Sequence, residues 1–409
     1  MSLSSLVRKT LALKNHRVIR VVEENGRLVV ALDWIKRRRL PCSVCGKPSK
    51  VRERSPERSW RHVPLWGIEV ELRYRPCRVS CRSCSMVKVE AIPWATGKSP
   101  ISKPLMVALA TWSRLLAWDV VARLFGVSWS TVVVAVNHAV DYGLERRDLS
   151  RLRYLGIDEI SRKKGHVYHT NVYDLETKTL VWSKEGRSKE TLEAFFDSIG
   201  PAQSAQIVGI CCDMWANYVD VVKRRASQAV LVFDKFHIVR HLLAAVNDVR
   251  KMEAKALRVS DPETLKGTRY LFLKNPENLT EKQAPRLAEI MKMNLKVVRA
   301  YLLKELFKDL WTYKSKAWAK KYLDRWFWWA THSRLKPLRG FAWMLRRHED
   351  GILAYFDCRI DNGATEAMNN NAKAVAHRAR GYRTEKAFTL SLLHCLGGLE
   401  LPETAHRFS

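Results

Sequence analysis

The sequence predicts a mixed α/β protein: one sheet with helices on its faces, split by a long helical segment and preceded by a strand-rich cysteine region and a helical pair. Three observations predict it. From Arg151 the apolar patterning runs strand, strand, strand, helix, strand, helix, strand, the order of a mixed sheet with helices packed on it. After Asp234 the pattern is wholly helical to about residue 356 and rich in Lys, Arg and Trp. Near the start, two Cys-x-x-Cys pairs bracket strand-like sequence.

At 409 residues the chain has room for roughly two to four domains. Lys plus Arg number 72 against 41 Asp plus Glu, a formal net charge of +31, which favours a polyanionic partner, nucleic acid before a ribosomal or membrane surface. A hydrophobic fraction of 47% with 15 Trp speaks for packed domains rather than a basic tail. Apolar runs such as MVALATW and TVVVAVNHAV fall short of the roughly 18 residues of a membrane span, so no membrane is expected. The start, MSLSSLVRKT, has no signal-peptide pattern, and paired cysteines suit a reducing compartment, so the expected location is the cytoplasm.

Residues 1–98 read as short strands around the Asn25-Gly26 turn, then Cys42-x-x-Cys45 and Cys81-x-x-Cys84 on two turns. Four thiolates presented in pairs suit a structural Zn²⁺ in a zinc ribbon; Cys77 is a fifth thiol nearby, either unliganded or competing for the metal. Residues 99–150 turn helical. A helix ending at Phe125-Gly126, a short turn, and a second helix capped by Ser128 is the layout of a helix-turn-helix. Ser128, Trp129, Ser130 and Thr131 would then lie nearest DNA; the valine-rich second helix also reads as an ordinary core helix.

Residues 151–240 carry the sheet pattern, with strands expected at 154–160, 166–173, 179–183, 206–212 and 229–233. Asp158 stands where the first strand wants a core side chain, and Asp213 follows the fourth strand. Ionised carboxylates in such places need a partner or a cation. If the first and fourth strands pair, the two are neighbours at the carboxyl edge, where open sheets place their sites. Asp234, with His237 three residues on, is an alternative ligand and is expected rather as support, His237 as a structural histidine.

Residues 241–356 form the helical insertion; the RWFWWA run (325–330) is expected as helix core, with base stacking by Trp326, Trp328 or Trp329 as the functional alternative. Residues 357–409 return to the sheet domain with a helix opening at Glu366. Helical spacing puts Asn369, Asn370, Lys373 and His377 on the Glu366 face, with Arg378, Arg380 and Arg383 extending a basic track suited to a phosphate backbone. Two aspartates and a glutamate from a helix are what a pair of hard cations, Mg²⁺ or Mn²⁺, needs for phosphodiester chemistry.

The segments CSVC, SWSTV, GIDEI, CDMWANY, FDKFH and DNGATEAMNNNAKAVAHRARGY, in that order, resemble the bacterial insertion-sequence transposases of the ISL-three family. Where the family knuckle continues CxxCG, Ser85 follows Cys84 here. The resemblance implies an RNase H-like catalytic domain of the DDE type, an all-helical insertion before the glutamate, and N-terminal modules that bind terminal inverted repeats. It carries the catalytic, metal-holding acids onto Asp158, Asp213 and Glu366. The expected function is metal-dependent DNA cleavage and strand transfer on double-stranded inverted-repeat and target DNA, by a homodimer or higher oligomer associated with the nucleoid. An inactive DNA-binding regulator and a structure-specific nuclease are the alternatives.

Overall fold

The computed structural model describes residues 3–11, 13–163, 167–360 and 363–403. The chain forms two compact units, residues 1–148 with 374–409, and residues 149–373.

The first unit opens with α1 (Leu3–Thr10) and the hairpin β1 (His16–Glu24) and β2 (Arg27–Trp34). Its two-residue turn takes positive φ at both Asn25 (51°) and Gly26 (73°), the conformation that matches strand twist and that Asn-Gly adopts readily. After β3 (Leu40–Pro41) and β4 (Pro48–Arg54) come β5 (Arg58–Leu65), β6 (Ile68–Tyr74), β7 (Cys77–Cys81) and β8 (Met86–Val89). Two sheets result, β1-β2-β6-β5 and β3-β4-β7-β8. The first is packed on Val30, Leu32, Trp60, Leu72, Tyr74 and Trp94.

Beside that core lies a polar network that sequence spacing does not reveal. Glu90, 2% exposed, accepts hydrogen bonds from the Tyr74 hydroxyl (2.7 Å) and the Cys77 amide (2.7 Å), and its other oxygen lies 2.9 Å from His16 Nε2. Burial first, and then the Glu90 charge, push the Tyr74 phenol far above its ordinary value. Removing Glu90 strands three buried groups at once. Glu90→Ala is therefore expected to cost about 3–5 kcal/mol in urea unfolding, and Glu90→Gln, which can still accept from Tyr74 and Cys77, clearly less. Equal costs for the two variants would contradict the network.

Three helices follow: α2 (Lys103–Leu115), α3 (Trp118–Leu124) and α4 (Trp129–Arg146). Ser102 caps α2 through the Leu105 amide, and Ser128 caps α4 through the Thr131 amide (3.2 Å). Between α3 and α4 the chain turns by 111°, with Gly126 at φ 57°. Among the described residues no single helix is long and apolar enough to cross a membrane; α3 and α4 reach that apolarity only jointly, across this bend. Val121, Val132, Ala135, Val136 and Val140 are buried among α2, α3 and α4.

The second unit is built on a five-stranded sheet, β9 (Tyr154–Lys163), β10 (Val167–Asp174), β11 (Thr179–Glu185), β12 (Gly209–Cys212) and β13 (Val230–Phe233), in the order β11-β10-β9-β12-β13. β9, β10 and β11 run antiparallel; β12 is parallel to β9 and to β13. All four residues of β12 are buried, as a strand covered on both faces requires. One face packs Leu155, Ile157, Val172, Ile210 and Cys212 under α5 (Lys189–Ser204) and α6 (Ala216–Arg225), chiefly through Phe195, Phe196, Tyr218 and Val222.

Residues 235–358 are all helix and turn: α7 (Lys235–Ala256), α8 (Arg269–Leu273), α9 (Gln283–Met291), α10 (Lys296–Lys308), α11 (Lys316–His332), α12 (Lys336–Arg347), α13 (Glu349–Leu353) and α14 (Tyr355–Cys358). They enclose a core of their own, with Ile238, Val246, Phe272, Phe307, Trp326, Phe341 and Ile352. Two buried charges satisfy helix ends. Lys304 donates to the Phe272 and Lys274 carbonyls at the end of α8, and Glu253 accepts the Lys296 and Val297 amides at the start of α10. Within RWFWWA, Trp326 is wholly buried with its indole donating to Leu303 O (2.8 Å), and Trp329 packs against the same core. Trp328 is 57% exposed and stacks on His332.

The chain closes with α15 (Gly363–Arg378) and α16 (Glu385–Leu396). The sequence pattern assigns 357–409 to the sheet domain, yet residues 374–409 belong to the first unit. The reason is the apolar face of α16, whose Ala387 and Leu390 join the core of α2 and α4 together with Leu399. Gly143 on α4 permits that approach: a Cβ there would stand 2.7 Å from Leu399 Cβ and 2.9 Å from the Glu400 carbonyl.

Candidate active site and zinc centre

In the second unit the parallel strands β9, β12 and β13 end on one edge. The register pairs Gly156 with Cys211; Asp158, two residues on in β9, and Asp213, the residue after β12, therefore come out on the same side of the sheet and line one cleft. Asp234 follows β13 and caps α7, accepting the Phe236 amide (2.8 Å). Asp158, Glu159, Asp213 and His237 line one cleft of about 680 Å³, together with Tyr168, Arg187, Trp215, Tyr218, Arg240, His241 and His348. Acids and cations thus share one cavity.

Each acid is held by a defined donor. Asp158 takes the Glu159 amide on Oδ1 (2.7 Å) and the Asn369 side-chain amide on Oδ2 (2.5 Å). Asp213 Oδ1 takes the Met214 amide (2.6 Å). Glu159, whose strand alternation turns it from Asp158, accepts from the Tyr218 hydroxyl (2.8 Å) and still borders the cleft. His237 Nδ1 lies 2.9 Å from Asp234 Oδ2 and 4.0 Å from Asp213 Oδ1.

Burial raises the Asp158 pKa, and the nearby Asp234 and Asp213 charges add to the rise against the Glu159 amide and His237, which oppose it. Burial would lower that of His237, but the Asp234 contact and the Asp213 charge outweigh it, and the net shift is upward. A crowd of carboxylates that raises the affinity of its neighbours for protons is a donor set suited to a hard divalent cation.

The third expected acid is placed differently. Glu366 is exposed on α15, one turn before Asn369. Among the described residues, only the four cysteines gather three or more His, Cys, Asp or Glu ligand atoms within 4.8 Å of one another, so the three acids do not close into a triad. Asn369 departs from the sequence expectation: instead of sharing the open face of Glu366 it is buried, along with Thr365, Met368 and Ala372. Asn370, Lys373 and His377 are exposed as expected, while Arg378 is half-buried with its guanidinium donating to the Arg114 carbonyl (2.8 Å).

In the first unit Ser128 and Ser130 are exposed, Trp129 is 49% exposed and Thr131 is half-buried, all at the start of α4. Cys42, Cys45, Cys81 and Cys84 bring their sulfurs within 4.8 Å of one another. Thiolates about 2.3 Å from a tetrahedral zinc would stand roughly 3.8 Å apart, so the cluster fits the ion. Hydrogen bonding to Ser49 and to the Cys84 amide lowers Cys81 to about 6, while bonding with Cys45 pushes Cys84 up to about 12. Ser85 adopts φ 50° after the second pair as Gly46 adopts 72° after the first, so the knuckle turn forms without glycine. Cys77 is buried near the Tyr74 hydroxyl and stands outside the cluster.

Sequence reasoning missed Tyr173, Asn171 and Arg187. The Tyr173 hydroxyl donates to Asn369 Oδ1 (2.6 Å) and receives from Asn171 (3.0 Å). The Arg187 guanidinium lies over the rings of Tyr168 (4.9 Å) and Trp215 (5.6 Å). The sequence of β10 marks a strand but not the polar partners it meets from α15.

Comparison with known proteins adds a family. Residues 155–392, more than half the chain, match the profile of the ISL3 transposase DDE domain, described as "Transposase". Residues 38–84 match "zinc-finger of transposase IS204/IS1001/IS1096/IS1165". Over 354 residues the chain is 30% identical to the "Transposase for insertion sequence element IS1001" of Bordetella parapertussis, covering 86% of this chain and 87% of that one. Over 382 residues it is 31% identical to the "Transposase for insertion sequence element IS1557" of Mycobacterium tuberculosis, covering 87% and 86%. With a ribbon match ahead of a catalytic-region match and similarity along nearly the whole length of such relatives, the chain belongs to the ISL3, or ISL-three, family of insertion-sequence transposases.

Proposed function

We propose that Asp158, Asp213 and Glu366 are the acid set of a metal-dependent transposase that cuts DNA at the ends of its element and joins the freed 3′ ends to target DNA. The observation that supports the reading is the parallel pairing of β9 with β12, with Asp158 and Asp213 lining one cleft beyond the last paired residues. The strand order, three antiparallel and two parallel, supports an RNase H-like domain formed by 151–240 and the Glu366 helix, with 241–356 as its all-α insertion. Residues 1–98 and 99–150 would be the zinc-ribbon and helix-turn-helix modules that hold the terminal inverted repeats.

Asp158, Asp213 and Glu366 would hold Mg²⁺ or Mn²⁺, with Asp234 and His237 supporting Asp213. Two such ions work about 4 Å apart, so acids serving them need not meet in a closed triad. Bound there, they would acidify the attacking water or 3′-hydroxyl and offset charge on the leaving oxygen. The chain's own part is orientation. Backbone amides of Glu159 and Met214 aim the two aspartates, and the Asp234 cap fixes the start of α7.

DNA would be held by hydroxyls and amides at the start of α4, Ser128 to Thr131, and by Asn370, Lys373 and His377 on α15, with Arg378 beside them. Synapsis of two ends calls for at least a dimer. In the cleft, Arg187 is pre-oriented by two rings and suits a phosphate of the strand being cut. Arg187→Ala is expected to weaken binding of repeat and non-repeat DNA alike and to lower the slope of log affinity on log salt by about 1. A loss confined to one sequence would argue for base reading instead.

The deciding experiment is incubation of the full chain with Mg²⁺ and DNA carrying the element's ends. Cut and joined products support the reading; cutting that never joins supports the structure-specific nuclease, and binding without cutting supports the inactive regulator.

A further inference from the structure

We propose that Asn369, fixed by Tyr173, is a positioning residue that sets the Asp158 carboxylate and docks the helix bearing Glu366 onto the strand bearing Asp158; the inference rests on the acid-set reading above.

Asn369 is only 4% exposed, on the buried face of α15 beside Thr365, Met368 and Ala372. Burying an amide there without partners would cost about 1–3 kcal/mol relative to leaving it in water. It has partners on both ends. Its Nδ2 donates to Asp158 Oδ2 (2.5 Å), and its Oδ1 accepts from the Tyr173 hydroxyl (2.6 Å). Tyr173 is wholly buried and has one proton to give; Asn171 Nδ2 donates to that oxygen (3.0 Å), so the phenol's proton goes to Asn369. The amide therefore has one orientation, with its N–H side toward the carboxylate.

Two consequences follow for the site. With Oδ1 on the Glu159 amide and Oδ2 on Asn369, Asp158 has one rotamer, and its remaining lone pairs are left for the cleft it lines. The same bond joins residues 211 apart in the chain, and Glu366 lies one turn from it on α15. Asn369 thereby ties the third acid's helix to the first acid's strand. Outer groups of this kind typically alter metal affinity or activity 10- to 100-fold when removed.

The test uses the full chain and single-turnover cleavage of end-bearing DNA across a Mg²⁺ titration, with thermal melting and end binding measured alongside. Asn369→Ala is expected to slow cleavage about 10- to 100-fold and to raise the half-saturating Mg²⁺ several-fold, with end binding unchanged. Tyr173→Phe, which keeps the ring, is expected to move both in the same direction by a smaller factor. Asn369→Asp, placing a second charge against Asp158, should be worse than Asn369→Ala. If both Asn369→Ala and Tyr173→Phe cut with an unshifted Mg²⁺ midpoint, slowly or not, the positioning role is overturned; should Asn369→Ala fail to fold, Tyr173→Phe decides alone. Asp158→Asn serves as the control: if it still cuts, the acid-set reading itself fails, whatever Asn369 does.

Discussion

Asp158→Asn is expected to yield a folded protein that binds DNA ends and cuts them at least about 10³-fold more slowly, equivalent to roughly 4 kcal/mol of barrier. The size of the loss follows from what the substitution removes. Asn keeps the volume but takes away one negative charge and one acceptor from a set whose proposed task is to hold hard cations by oxygen. Stability should move little, because two effects oppose. The buried carboxylate is disfavoured by desolvation and by the Asp234 and Asp213 charges, so a neutral side chain relieves repulsion. Against that, both oxygens of Asp158 accept hydrogen bonds, and an Asn can accept only one of them, leaving an amide group against a donor at a cost of about 1–3 kcal/mol. Asp213→Asn should behave alike. Cleavage at wild-type rates by either variant would sink the assignment, and loss of end binding would show that the acid edge also holds DNA.

The strands that lead into Asp213 and Asp234 were legible because each is a short apolar run ended by a charge: GICC before Asp213 is wholly buried, and VLVF before Asp234 is half-buried at its start and buried at its end. Their parallel pairing followed from the helices between them. Asn369 was not legible. At about 100° per residue, positions three and four after Glu366 fall about 60° to one side and 40° to the other, so periodicity alone puts Asn369 and Asn370 on one face. Which of them is buried depends on Tyr173, nearly 200 residues away in sequence. The same limit hid the destination of α16: its apolar face announced that something covers it, but α2 and α4, not the sheet, do so. His16 and Glu90 are 74 residues apart and each looks like a surface group until the fold brings them together. Local patterns specify elements and faces; the pairing of buried polar groups across elements is a tertiary fact.

Stripping zinc, or replacing Cys81 with Ser, is expected to unfold the β3-β4-β7-β8 sheet while leaving the helical signal of the second unit in place. The argument is the size of that sheet's core. Its buried apolar residues are Leu40, Cys42, Cys77, Val79 and Cys81, with Trp34, Val51 and Cys84 partly covered, so three of the five are cysteines and two of those are proposed ligands. So few side chains cannot offset the ordering of some thirty residues. A tetrathiolate zinc site can, since structural zinc contributes about 10–16 kcal/mol in small zinc-binding peptides. One zinc per chain should be released on chelation, with protease cutting appearing within 40–90 and DNA-end affinity falling. Cys77→Ser makes the claim specific. Cys77 is as buried as Cys81 but lies outside the thiol cluster, so this variant should retain one zinc per chain and lose only packing energy, whereas Cys81→Ser should bind zinc much more weakly. Equal zinc loss from both variants would mean that burial, not ligation, explains the cysteines of this sheet.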